Sequence, residues 1–248
     1  MSSGLQPTPD ELASHRNRRA PHGDLVSSRL PLENPARVAL QGRTVRLEPT
    51  ERGQDAAHLW AATHGDADRE QTWRFMGYGP FSSRESFDEW YAGCAESSDP
   101  LWFTAVDGSS ELPIGMATLM RITPDHGVIE VGNIWFVPEA RGTTPATEAI
   151  VLLMDHTMSA GYRRLEWKCD AGNTRSRRAA LRLGFRYEGT FANHMVIKGH
   201  NRDTAWYSIT AEEWPEVRTV LGTWLDPANF DAGGLATTSL RRATAALW

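Results

Sequence analysis

One stretch, His126 to Met158, limits what this chain can fold into more than any other. Its first half, Gly127 to Val137, is rich in Val, Ile, Trp and Phe and reads as a strand. Pro138 has no ladder donor and ends it. From about Pro145 to Ala160 the apolar residues Ala146, Ala149, Ile150, Leu153 and Met154 recur at helical spacing, with Thr147, Glu148 and Asp155 on the other side. Between the two lies Glu139 to Thr144. Arg141 and Gly142 precede the helix N-terminus, where amides lack intrahelical partners and the dipole end is positive. A strand, a small-residue turn and a helix start together suit an anion such as phosphate or pyrophosphate. An ordinary strand-loop-helix crossover has the same local pattern.

The rest of the chain bounds the reading. At 248 residues and 40% hydrophobic it holds one large domain, or one domain with tails. The net charge of −5 gives no basic excess for nucleic acid. Cys94 and Cys169 lie far apart without C-x-x-C spacing, so neither a disulfide framework nor a metal site is expected, and a reducing cytoplasm is the default. No run reaches the roughly 18 apolar residues of a membrane span. The start, MSSGLQPTPD, lacks a basic region and an apolar core, so no signal peptide is expected.

In chain order, residues 1–38 carry scattered Pro and Arg without a period and read as a flexible or draped arm. Strands are expected at Arg43–Glu48, Leu101–Val106, Ile114–Ile122, Gly127–Val137, Arg164–Cys169, Phe185–Ile197 and Asp203–Ile209. Helices are expected at Asp55–Thr63, Ser83–Cys94, Asn173–Leu183 and Ala211–Leu225, besides the one described. The aromatic loop Thr72 to Phe81 is either a packed lid or a substrate wall. The tail 228–248 turns to small residues and is expected to fray. The order is β, two helices, a three-strand meander, α, β, α and a hairpin, which is a mixed α/β class.

Val137-Pro138, Arg141, Gly142 and Ala146 resemble the acyl-CoA-binding motif of the GNAT (Gcn5-related) N-acyltransferases. Thr144 stands where that family usually has its central Gly. A second match is Asn173-Thr-Arg-Ser176, an apolar helix, then Gly184-Phe185. The resemblance covers roughly residues 40 to 226 and is similar to the RimJ/RimL branch, with Ala180 where many members carry a catalytic Tyr. It implies an α/β GNAT fold from 39 to 227, a mostly antiparallel seven-strand sheet splayed between strands 127–137 and 164–169. It also implies acetyl-CoA or another acyl-CoA as co-substrate and no metal. The reaction would move an acyl group to a primary amine of a small molecule or a peptide N-terminus. The alternative is an altered module of this fold that binds acyl-CoA or an acyl carrier without transfer. Partners are then the amine, without nucleic acid or membrane, in a cytoplasmic monomer or homodimer.

The resemblance also places roles on residues. Backbone at Phe136 or Val137 would bond the thioester oxygen. Arg141, Gly142, Thr143, Thr144, Ala146 and Thr147 would hold the pyrophosphate, with Asn173 on the pantetheine and Ser176 at the departing thiolate. Asn173 and Ser176 are equally well placed as helix caps. Arg175, Arg177 and Arg178 open that helix where cations are disfavoured, which suggests an external anion such as the 3′-phosphate, with Arg178 the chosen contact. Glu130 is the candidate base, or else a carboxylate paired to an arginine of the last hairpin. His194 is the second candidate. Trp73, Tyr78, Phe81, Asn133, Trp135 and Tyr207 are the candidate acceptor contacts, with Asn133 and Trp135 sharing a strand face by period two.

Overall fold

The computed structural model describes residues 7–14, 26, 29–53 and 55–248. In chain order the elements are α1 (Pro9–Ser14), β1 (Leu40–Gln41), β2 (Val45–Pro49), α2 (Ala56–Thr63), α3 (Ala67–Glu70), α4 (Arg84–Glu96), β3 (Leu101–Asp107), β4 (Pro113–Thr123), β5 (Val128–Phe136), α5 (Thr144–Ser159), β6 (Arg164–Asp170), α6 (Thr174–Arg182), β7 (Arg186–Ile197), β8 (His200–Thr210), α7 (Trp214–Leu225) and α8 (Leu240–Ala245). The class is mixed α/β with antiparallel pairings, as expected. Among the described residues eight strands replace the expected seven. The extra one, β1, pairs Leu40 with Leu47 and Gln41 with Arg46, and two residues are too few to show alternation. The chain forms two compact units, one from 34–122 and 129–157, the other from 1–33, 123–128 and 158–248.

In the first unit β1 to β5 lie side by side in chain order. β3 is buried along Leu101–Val106, so it reads as a continuous apolar run rather than an alternation. The β3–β4 turn closes on Asp107, whose Oδ1 accepts from the Ser109 and Ser110 amides at 3.0 and 2.8 Å. α4 starts on a capping box, with the Ser83 and Ser86 side chains each accepting from the other's backbone amide. It buries Phe87, Tyr91 and Cys94. The α5 carboxylate Glu148 reaches back to the β1–β2 turn, accepting from the Arg43 and Thr44 amides at 2.7 Å each. That ties the first strands to the helix that follows β5.

In the second unit β8 lies between β6 and β7. β7 and β8 turn at Lys198-Gly199, both with positive φ (50° and 78°), which matches the right-handed twist of a tight hairpin. The frayed tail is corrected. Asn229 Oδ1 accepts from the Thr237 and Thr238 hydroxyls at 2.9 and 2.7 Å, and Trp224 Nε1 donates to Thr238 O at 3.0 Å. α8 then buries Leu240 and sends the Thr244 hydroxyl to Leu181 O and Arg182 O at the end of α6, 3.3 Å each. At the other end, Thr8 and Glu11 exchange amide bonds (2.6 and 3.3 Å) and start α1.

Candidate functional site

In the first unit the site is built along β5 and into α5. Glu130, mid-strand, is 5% exposed. Arg121 Nε of β4 lies 3.2 Å from its Oε2, so the meander supplies a neighbouring cation. Asn133 has φ 49°, which interrupts the extended run. Its amide sits 3.4 Å from Thr118 Oγ1 and stays half-exposed, while Trp135 turns into the core. Asn133 meets Thr118 and Met120 while Trp135 packs in the cluster of Met116, alternate residues on one face of β4, so the two differ in burial rather than in face. Gly115 on β4 permits the kinked strand to come close, since a Cβ there would stand 2.3 Å from Trp135 O.

The donor loop is internally braced. Val137 N–H donates to Ile114 O at 2.9 Å, so that amide is spent within the meander and does not serve as expected. Phe136 O accepts from Arg141 Nε at 3.2 Å, and Arg141 Nη2 donates to Thr72 Oγ1 at 2.6 Å. Arg141 thus couples the loop to the aromatic segment. Gly142 is exposed with φ 78° and has open space where a Cβ would be, so an anion can approach its backbone. Thr143 and Thr144 are half-exposed beside it. The Thr143 hydroxyl donates to Ala140 O at 2.7 Å and the Thr147 hydroxyl to Thr143 O at 2.9 Å. Ala146 and Thr147 are buried and the Thr143 amide donates to Ala140 O at 3.2 Å, which leaves the backbone of Gly142 and Thr144 as the part that fits a pyrophosphate.

The expected acceptor wall is mostly core. Trp73 is 0% exposed, its indole N–H donates to Thr63 O at 3.2 Å, and Trp135 packs 5.1 Å from it. Both are corrected from wall to core, because a large ring surrounded by rings gains more from burial than from exposure. Tyr78 stacks on Trp90 at 4.8 Å, and burial holds its phenol well above the ordinary value. Phe81 is half-buried, and its amide donates to His64 Nε2 at 3.2 Å. His64 stacks on Trp60 at 3.8 Å, and burial lowers its pKa. Nothing in its local pattern marked it as the residue that fixes this segment.

In the second unit, α6 follows β6 through a short loop. Asn173 caps the helix, accepting from Ser176 N–H at 3.1 Å. Trp167 Nε1 donates to Ser176 Oγ at 3.0 Å. That occupies an acceptor position of the hydroxyl, and its hydrogen is within reach of the Cys169 sulfur. Arg175 and Arg178 are exposed. Arg177 is buried and faces an internal anion, Glu11 of α1, which corrects the idea that the whole arginine group awaits an external one. Tyr207 is also corrected. It is 0% exposed and its hydroxyl donates to Glu11, so it has no surface for a substrate. His194 is exposed, with Nδ1 2.9 Å from Thr204 Oγ1. Burial pushes the Cys94 and Cys169 thiols up to about 12, so both stay protonated.

Glu11 is the residue the sequence reading missed. Its signal was present as Thr8-Pro9-Asp10-Glu11, a capping box with Pro at the first helical position. Among the described residues no cluster of three or more His, Cys, Asp or Glu is arranged to hold a metal, and no helix is long and apolar enough to cross a membrane.

The family profile of the acetyltransferase (GNAT) domain matches residues 44–186. A solved GCN5-related N-acetyltransferase from Brucella melitensis is 41% identical, with 86% of this chain and 97% of that one covered and a TM-score of 0.83. A solved probable acetyltransferase of the GNAT family from Chromobacterium violaceum ATCC 12472 is 34% identical, with 81% and 100% covered and a TM-score of 0.73. No curated protein matches the chain.

Proposed function

This chain belongs to the GNAT acetyltransferase family, and from that premise we propose that it transfers an acetyl group from acetyl-CoA to a primary amine by direct attack. The observation that carries the reading is Glu130, a nearly buried carboxylate in the middle of β5 with a half-exposed arginine beside it. A carboxylate in that setting suits a general base. Glu130 takes the proton of the incoming ammonium, directly or through water. The backbone at Gly142 and Thr144 holds the donor pyrophosphate, with Arg141 bracing the loop through Phe136 O and Thr72. Asn173 bonds the pantetheine, Arg178 the 3′-phosphate, and the Ser176 hydroxyl gives its hydrogen bond to the departing sulfur. His194 is held as the second candidate base.

We assign the acceptor to small-molecule amines or peptide N-termini. Asn173, Ser176 and the β7–β8 hairpin support a reading as a RimJ/RimL-like member, and a cytoplasmic enzyme is the setting that goes with that reading. A second reading, acyl-CoA binding without transfer, is favoured by Thr144 in the loop and by Ala180, a fully buried methyl at the position of the family's Tyr.

The test is thiol release from acetyl-CoA with a panel of amines, followed across pH for wild type and Glu130→Gln. The variant keeps size and loses basicity. Its rate is expected to fall about 10²–10⁴-fold at neutral pH, with donor affinity unchanged and the deficit shrinking as pH rises. Full activity of a folded Glu130→Gln at every pH moves the base to His194. Donor binding with no amine accepted selects the binding module.

A further inference from the structure

We propose that Glu11 and Arg177 are positioning residues for the donor. Their buried ion pair anchors the loop that presents Asn173 and Ser176, so the N-terminal helix is part of the working enzyme. The proposal rests on the assignment of those two residues to the donor.

Glu11 is 0% exposed although α1 is only six residues long. Both carboxylate oxygens face the Arg177 fork. Oε1 accepts from Nε at 2.7 Å and Oε2 accepts from Nη2. Oε1 also accepts from the Tyr207 hydroxyl of β8, and Oε2 accepts from the Thr8 amide at 2.6 Å. The remaining arm of the guanidinium, Nη1, donates to Ala171 O at 2.9 Å. Ala171 belongs to the loop between β6 and α6. Its amide donates to Asp203 O at 2.8 Å, and the Asn173 amide donates to Asp170 O at 2.9 Å. Asn173 then caps α6 by accepting from Ser176 N–H. A bidentate pair between planar groups fixes orientation as well as distance. The chain of bonds runs from α1 through Arg177 to the Ala171 carbonyl, and from there to the two side chains at the start of α6.

A buried pair can be replaced by apolar groups of similar volume with the fold retained, whereas removing one partner leaves a buried charge. The double variant Glu11→Leu with Arg177→Met therefore removes the Ala171 anchor with the least cost to folding. CoA affinity is measured by calorimetry and ADP affinity by ligand-observed NMR on the full chain. ADP carries adenosine and the pyrophosphate without pantetheine or 3′-phosphate, so it reports on the donor loop and the adenosine contacts and not on Asn173 or Ser176. The expected result is a folded double variant with CoA affinity at least tenfold weaker and ADP affinity within twofold of wild type. Unchanged CoA affinity, or equal weakening of both ligands, overturns the proposal. If the double variant does not fold, Glu11→Gln is judged by the same pair of ligands, with at least a threefold loss for CoA alone required. Asn173→Ala in the wild-type background separates the two ideas. No loss of CoA affinity there removes the donor assignment. A loss there, with none in the double variant, removes only the clamp.

Discussion

His64 shows how much one side chain can decide. Its Nε2 accepts from the Phe81 amide at 3.2 Å and its ring stacks on Trp60, so the folded protein needs the neutral ring. Burial lowers its pKa below the ordinary 6.5. The unfolded chain then binds the proton more readily than the folded one. Stability from this group is present above the ordinary value and is lost as pH falls below it towards the lower folded value. We expect wild type to lose melting temperature between about pH 7 and pH 5 more steeply than His64→Gln, whose side chain carries no proton to exchange. Parallel slopes for the two proteins would show that the ring is not the group responsible. The same scale explains the misplaced acceptor contacts. Trp73 and Tyr207 have residue types suited to a substrate wall, but a side chain's type does not say whether other side chains already cover it.

Elements were legible where they were long and periodic. β5, α5, α6 and the β7–β8 hairpin lie where alternation and helical spacing put them, to within a few residues. Four short features escaped, among them α3, a single turn of four residues. β1 is two residues long, α1 has only a capping box to announce it, and α8 follows a run of small residues. Each is too short to form alone and is held by what it packs on. For α8 this gives a measurable outcome. Leu240 is 3% exposed, and Leu240→Ala should cost about 2–5 kcal/mol in urea unfolding. A frayed tail would give no change.

At the scale of the molecule, the donor assignment predicts linkage between CoA and folding. A ligand that binds only the folded state at 100 times its dissociation constant adds about 2.7 kcal/mol. For a chain of this size that is a rise in Tm on the order of 5–10 °C. A flat melting curve up to millimolar CoA would exclude the donor for this chain, whatever its family.

The sequence by itself determined the order of elements, the strand-loop-helix from Gly127 to Ala160, and the Asn173 to Ser176 cap before Gly184-Phe185. These depend on neighbours a few residues apart, so periodicity, capping and turn chemistry encode them directly. Tertiary structure alone decided which polar groups are spent. The Val137 amide goes to Ile114, Arg141 to Thr72, and Glu11 to Arg177 and Tyr207, the last across a separation of 196 residues. Each such pairing is a contest among groups distant in the chain, settled by burial and by the cost of leaving a donor or a charge unmatched.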